Sequence, residues 1–98
     1  MKHKMYAIHD SAAKAYLPPF ITHQEGIAIR TFQDAVNDKT HPFGKNPKDY
    51  TLMQIAEFDD ENGKLTPLQT QLPLGNGLSF VLKSEDSDQL QLLEDISA

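Results

Sequence analysis

The sequence predicts an α+β domain: a small antiparallel sheet of three to four strands, one main helix packed on one face, and an acidic C-terminal tail. Three observations carry this. In Tyr50–Asp59 an extended chain points Leu52, Ala56 and Phe58 one way and Met53 and Ile55 the other, so the strand is apolar on both faces and belongs at the centre of a sheet. Asp59-Asp60-Glu61-Asn62-Gly63 then supplies the Asn and Gly that a tight reversal needs, and Lys64-Leu65-Thr66 returns as a partner strand ending at Pro67. Upstream, Ala28, Phe32, Ala35 and Val36 follow the i, i+4, i+7, i+8 spacing of one buried helix face.

The 98 residues bound the chain to one domain, which at this size buries only about 60–65% of its unfolded surface. There is no cysteine, which excludes disulfides, thiolate metal sites and a cysteine nucleophile. Met1-Lys2-His3-Lys4 is basic, but no apolar run of signal-peptide length follows, and no stretch approaches the ~20 apolar residues of a membrane span. A soluble, intracellular protein with no membrane partner is expected. The net charge of −5 is unevenly distributed. Residues 1–48 carry seven cations and four anions, net +3, and residues 49–98 two cations and ten anions, net −8. A basic body with an acidic tail allows the tail to compete with phosphate for the basic face; the plainer reading is that the tail only keeps the protein soluble.

Taken in order, Met5–His9 reads as the first strand and stops at Asp10-Ser11, a pair that turns chains by bonding its own backbone. Pro18-Pro19 keeps Tyr16–Thr22 extended, at a sheet edge where missing N–H groups do no harm. The helix spans Thr22 to Asp38, with Thr22 and Glu25 spaced for a capping box, or with a start a residue or two later because of Gly26. His41–Asp49 holds Pro42, Gly44 and Pro47 and reads as a loop. Beyond Pro67, Gln69–Gly77 has the composition of a linker, Leu78–Leu82 has strand character, and Leu90–Ile96 has helical spacing. The predicted division is therefore a domain over 1–68 and an acidic, partly mobile tail over 69–98.

Met5-Tyr6-Ala7-Ile8-His9-Asp10, Ala15–Phe20 (Ala-Tyr-Leu-Pro-Pro-Phe), Ala28–Phe32 (Ala-Ile-Arg-Thr-Phe) and Asn46–Leu52 running into Glu57–Asp60 together resemble the small nonstructural protein of gokushovirus-type microviruses, the tiny single-stranded DNA phages. The order and spacing of these pieces, over residues 5 to 68, is the specific part. The resemblance implies a non-capsid protein in the host bacterial cytoplasm, acting around viral DNA replication and its hand-over to packaging. It also implies DNA binding, and a viral or host replication protein as a further partner. It brings no catalytic residues.

A single-stranded DNA reading uses Lys2, Lys4, Lys14, Arg30, Lys45 and Lys48 for phosphates and Tyr6, Tyr16 and Phe20 as stacking platforms, since stacking on aromatics tolerates any base. Pairing of the first strand beside the central one would let Lys2 and Lys4 join Lys45 and Lys48 on one side of a sheet. The competing reading makes Tyr6 and Phe20 core packing and the lysines ordinary surface. For Arg30, an ion pair with Asp34 at i+4 is the commoner fate. His3, His9, His23 and His41 fit no compact metal-ligand spacing, and Ser11 beside Asp10 and His9 cannot form a relay, because strand neighbours point apart. No enzyme activity, metal or cofactor is expected. A homo-oligomer is expected, because one helix leaves the other face of a two-faced apolar strand bare; an oligomeric protein-interaction module without nucleic acid is the alternative function.

Overall fold

The computed structural model describes residues 1–82. In chain order the elements are β1 (Lys2–Asp10), β2 (Ala15–Tyr16), β3 (Phe20–Thr22), α1 (Glu25–Val36), α2 (Pro42–Lys45), a 3-10 turn (Pro47–Asp49), β4 (Tyr50–Asp59), β5 (Lys64–Asn76) and α3 (Gly77–Phe80). The sheet runs β2-β1-β4-β5, with β3 sharing the outer edge of β1 with β2, and every pairing is antiparallel. The α+β class is as the sequence predicts, but the sheet has five strands. The additional strand arises because Pro18-Pro19 divides the extended Tyr16–Thr22 segment into two short pieces, each pairing with β1.

The helix covers one face. Ala28, Phe32 and Val36 of α1 are buried against Tyr6 and Ile8 of β1 and Leu52 of β4. Burying side chains such as Phe32 and Leu52 stabilises the fold by about 1.5–3 kcal/mol each. The start of α1 differs from the predicted capping box: Gln24 is the N-cap, without a side-chain bond, and the Thr22 hydroxyl donates to the Gln24 carbonyl at 2.7 Å. The expected His41–Asp49 loop contains two helical turns, the first capped by His41 Nδ1, which accepts the Phe43 N–H at 3.0 Å.

β4 is central, paired on both sides, but its faces are not those that simple alternation predicts. Tyr6 lies opposite Gln54 whereas Met5 lies opposite Ala56, which leaves Ile55 as an extra residue on β4. Such a bulge turns the rest of the strand over. Leu52 and Gln54 therefore face the helix, while Ala56 and Phe58 join Met53 on the other face, in register with Met5, His3 and Ala7 respectively. Consistent with this, Ala7 and Ala56 are buried yet stand outside the helix-side cluster.

The C-terminal expectations need the largest correction. The composition of Gln69–Gly77 suggests a linker, but β5 continues through it to Asn76, and Leu78–Phe80 lies in a short helix rather than a strand. A boundary after residue 68 thus falls inside β5. Leu74, Phe80 and Val81 pack on the core, and Asn37 locks this segment to the end of α1: its Nδ2 donates to the Phe80 carbonyl at 2.9 Å and its Oδ1 accepts the Leu82 N–H at 2.8 Å. The predicted acidic tail from Glu85 and the terminal helix over Leu90–Ile96 lie outside the described residues.

Candidate nucleic-acid interface

β1 does lie beside β4, as the DNA reading requires, but the antiparallel register separates the lysines it was to unite. Lys2 stands opposite Asp59 and Lys4 opposite Glu57, while Asp10 at the far end of β1 meets Tyr50. Eight residues at ~3.4 Å each put roughly 27 Å between these ends. The candidate set divides into two groups with different electrostatics.

At the hairpin end the cations stand among carboxylates. Lys4 Nζ lies 3.3 Å from Glu25 Oε1, and Lys2 lines an open polar dish of about 210 Å³ with Glu57, Asp59, Asn62, Lys64 and Thr66. Asp60 contacts the Met1 ammonium and His3 Nε2, each at 2.8 Å. Those two hydrogen bonds hold its carboxyl below the ordinary carboxylate range.

The opposite end is different. The Ser11 N–H and hydroxyl both donate to the Asp49 carbonyl, at 2.9 and 3.2 Å, which ties the β1–β2 turn carrying Lys14 to the 3-10 turn carrying Lys48. Asn76 fixes that turn from the other side: its Nδ2 donates to the Lys48 carbonyl at 2.9 Å and its Oδ1 accepts the Leu78 N–H at 3.0 Å. Gly77 fits only because it lacks a Cβ, which would collide with the Pro47 carbonyl. Lys45, at the end of α2, completes the group. Lys14, Lys45 and Lys48 are exposed and take part in none of the ion pairs among the described residues. Asp10 and Asp49 also lie at this end. Asp10 Oδ1 is engaged by the Ala12 and Ala13 N–H groups, and the charges of both carboxylates add to burial in holding the Tyr50 phenol above its ordinary range.

The aromatic candidates fare differently. Tyr6 is fully buried, so it presents no stacking face, and Phe20 is half-buried with its ring 5.9 Å from that of Tyr6. Both belong to the core because their positions in β1 and β3 face α1. Tyr16 is 43% exposed, set edge-on to His9 at 4.7 Å, with its hydroxyl donating to Gln71 Oε1 at 2.6 Å. Arg30 is exposed on α1, and the predicted ion pair with Asp34 is not among those of the described residues.

Sequence reasoning missed one feature, the half-buried string His41–Phe43–Tyr50, with centroid separations of 4.5 and 4.4 Å, beside Lys45 and Lys48. Its signal was the pairing of aromatics and lysines across the loop assigned to His41–Asp49. Among the described residues no three His, Asp or Glu side chains converge to hold a metal ion.

No curated protein and no solved structure matches the chain. The sequence model of the Phage ORF5 protein family matches residues 3–80, which spans the described fold from β1 to α3. The chain belongs to the Phage ORF5 protein family.

Proposed function

We propose that this phage protein is a nonstructural protein of a gokushovirus-type microvirus. In this reading it binds single-stranded DNA without sequence preference, as an oligomer, in the host bacterial cytoplasm during viral genome synthesis or packaging. The contact surface is the sheet end that carries Lys14, Lys45 and Lys48, with Tyr16 as a stacking platform. The observation that carries the reading is the placement of charge: these three lysines are exposed and outside the described ion pairs, whereas Lys4 pairs with Glu25 and Lys2, in none of those pairs, stands opposite Asp59. Free lysines exchange counterions for phosphates, and an exposed aromatic ring accepts any base. Arg30 is set aside from the contact, and Tyr6 and Phe20 are assigned to the core.

A titration of the labelled protein with a short oligothymidine, followed residue by residue by NMR, tests the placement. Shifts concentrated at Lys14, Tyr16, Lys45 and Lys48 support it; shifts concentrated at Lys2 and Lys4 overturn it. The second reading, an oligomeric interaction module with no nucleic-acid affinity, is favoured by the bare apolar sheet face, and in that case the titration leaves the spectrum unchanged. A viral or host replication protein is a partner in either reading.

A further inference from the structure

We infer that Asn62 is a modification site, where the side-chain amide is lost spontaneously through attack by the Gly63 nitrogen, while the fold holds back the same reaction at Asn76-Gly77. The chain contains both Asn-Gly pairs. A glycine has no Cβ, so its backbone nitrogen approaches the preceding side-chain carbonyl without hindrance. That nitrogen gives up its proton and bonds to the asparagine Cγ, the Cγ–Nδ2 bond breaks, and ammonia leaves with the proton, closing a succinimide ring. Water then adds to one of the two ring carbonyls and opens the ring to aspartate or to isoaspartate. Overall one water is consumed and one ammonia released, with no other co-reactant. Asn37 and Asn46 are poorer candidates, because Asp38 carries a Cβ and Pro47 has no N–H.

The two pairs differ in what has to open before the attack. Asn62 and Gly63 are exposed at the tip of the β4–β5 hairpin, and no atom lies within 4 Å of the position a Gly63 Cβ would take. The Asn62 Nδ2, which is the leaving group, takes part in none of the hydrogen bonds among the described residues. Its Oδ1 accepts the Lys64 N–H and the Gly63 N–H donates to the Asp59 carbonyl, each at 2.8 Å, so two bonds at a loop tip are to be released. The Met1 ammonium holds the neighbouring Asp60 and Glu61. At Asn76 the leaving group itself is bound: Nδ2 donates to the Lys48 and Tyr50 carbonyls at 2.9 and 3.2 Å and to the Thr51 hydroxyl at 3.1 Å. Its Oδ1 accepts the Leu78 N–H at 3.0 Å, and Gly77 is buried against the Pro47 carbonyl. Freeing that amide parts α3 from the 3-10 turn, a larger opening than fraying of a hairpin tip. Either product at position 62 adds a carboxylate beside Asp59, Asp60 and Glu61. Isoaspartate also lengthens the main chain before Gly63 by one carbon, which disturbs the pairing of Asp59 with Lys64 that the loop length sets.

Incubation of the full chain at mildly alkaline pH, folded and in urea, followed by peptide mapping with mass spectrometry, tests the inference. In the folded protein the peptide containing Asn62 is expected to gain the mass of amide-to-acid conversion at least about tenfold faster than the peptide containing Asn76. A methyltransferase selective for isoaspartate is expected to label the same peptide. In urea, where neither pair is held, the two rates are expected to agree within about twofold. Three results overturn the inference: comparable or faster conversion at Asn76 in the folded protein, a ratio of rates that urea leaves unchanged, or an Asn62 that stays intact while the chain in urea reacts.

Discussion

Tyr6 carries the one polar side-chain atom among the described residues that is buried without a hydrogen-bond partner. A buried, unmatched hydroxyl costs about 1–3 kcal/mol, so Tyr6→Phe is expected to leave stability unchanged or raise it by about 1 kcal/mol in urea denaturation. Burial, and then the negative charge of Glu25, raise the Tyr6 phenol above its ordinary pKa of about 10. The folded state then holds this proton more tightly than the unfolded state. Its contribution is fully present below about pH 10 and is lost as pH rises through the raised value, so Tyr6→Phe flattens the alkaline limb of a stability profile. Lys14 offers a second single-residue test. It sits at φ 57°, where a side chain is strained by about 1–2 kcal/mol. Lys14→Gly is therefore expected to raise stability by about 1 kcal/mol and yet weaken oligonucleotide binding, a pair of opposite effects that separates the function of this residue from any role in folding.

At the scale of elements, β5 and α3 belong to the folded unit, although their composition reads as a linker. A chain ending at Pro67 loses Leu74, Phe80 and Val81 from the core and the upper half of the strand that pairs with β4, and it is expected not to fold. A chain ending at Leu82 keeps every described contact and is expected to melt cooperatively, as circular dichroism would show. Gly77→Ala is expected to destabilise by about 1–3 kcal/mol, because the added methyl collides with the Pro47 carbonyl in a packed junction. The parts legible in the sequence were those with strong local periodicity: the Ala28, Phe32, Val36 stripe, the central strand, and the Asn62-Gly63 turn, where Gly63 takes φ 72°. The illegible parts depend on tertiary context. Ile55 is an ordinary β-branched strand residue, so nothing local announces that it is the extra residue that reverses Ala56 and Phe58. Likewise Leu72-Pro73-Leu74-Gly75 becomes a strand only because β4 has a free edge to pair with. The candidate lysines were legible as residue types, but placing Lys2 and Lys4 opposite Asp59 and Glu57, away from Lys14, Lys45 and Lys48, required the register between β1 and β4.

Across the whole molecule, charge runs from an acidic hairpin, where cations and carboxylates are interleaved, to an end where Lys14, Lys45 and Lys48 stand clear of the described ion pairs, with one sheet face bare in between. The most direct test is fluorescence anisotropy of a labelled single-stranded oligonucleotide at about 50 and about 200 mM salt. The proteins compared are the wild type, the combined Lys14→Gln, Lys45→Gln and Lys48→Gln variant, and the Lys2→Gln, Lys4→Gln variant. The account predicts salt-sensitive binding by the wild type, at least about tenfold weaker binding by the triple variant with a salt slope shallower by about 2, and a change of less than about twofold in the Lys2, Lys4 pair. Absence of binding at micromolar protein and low salt, or equal losses in the two variants, would contradict it.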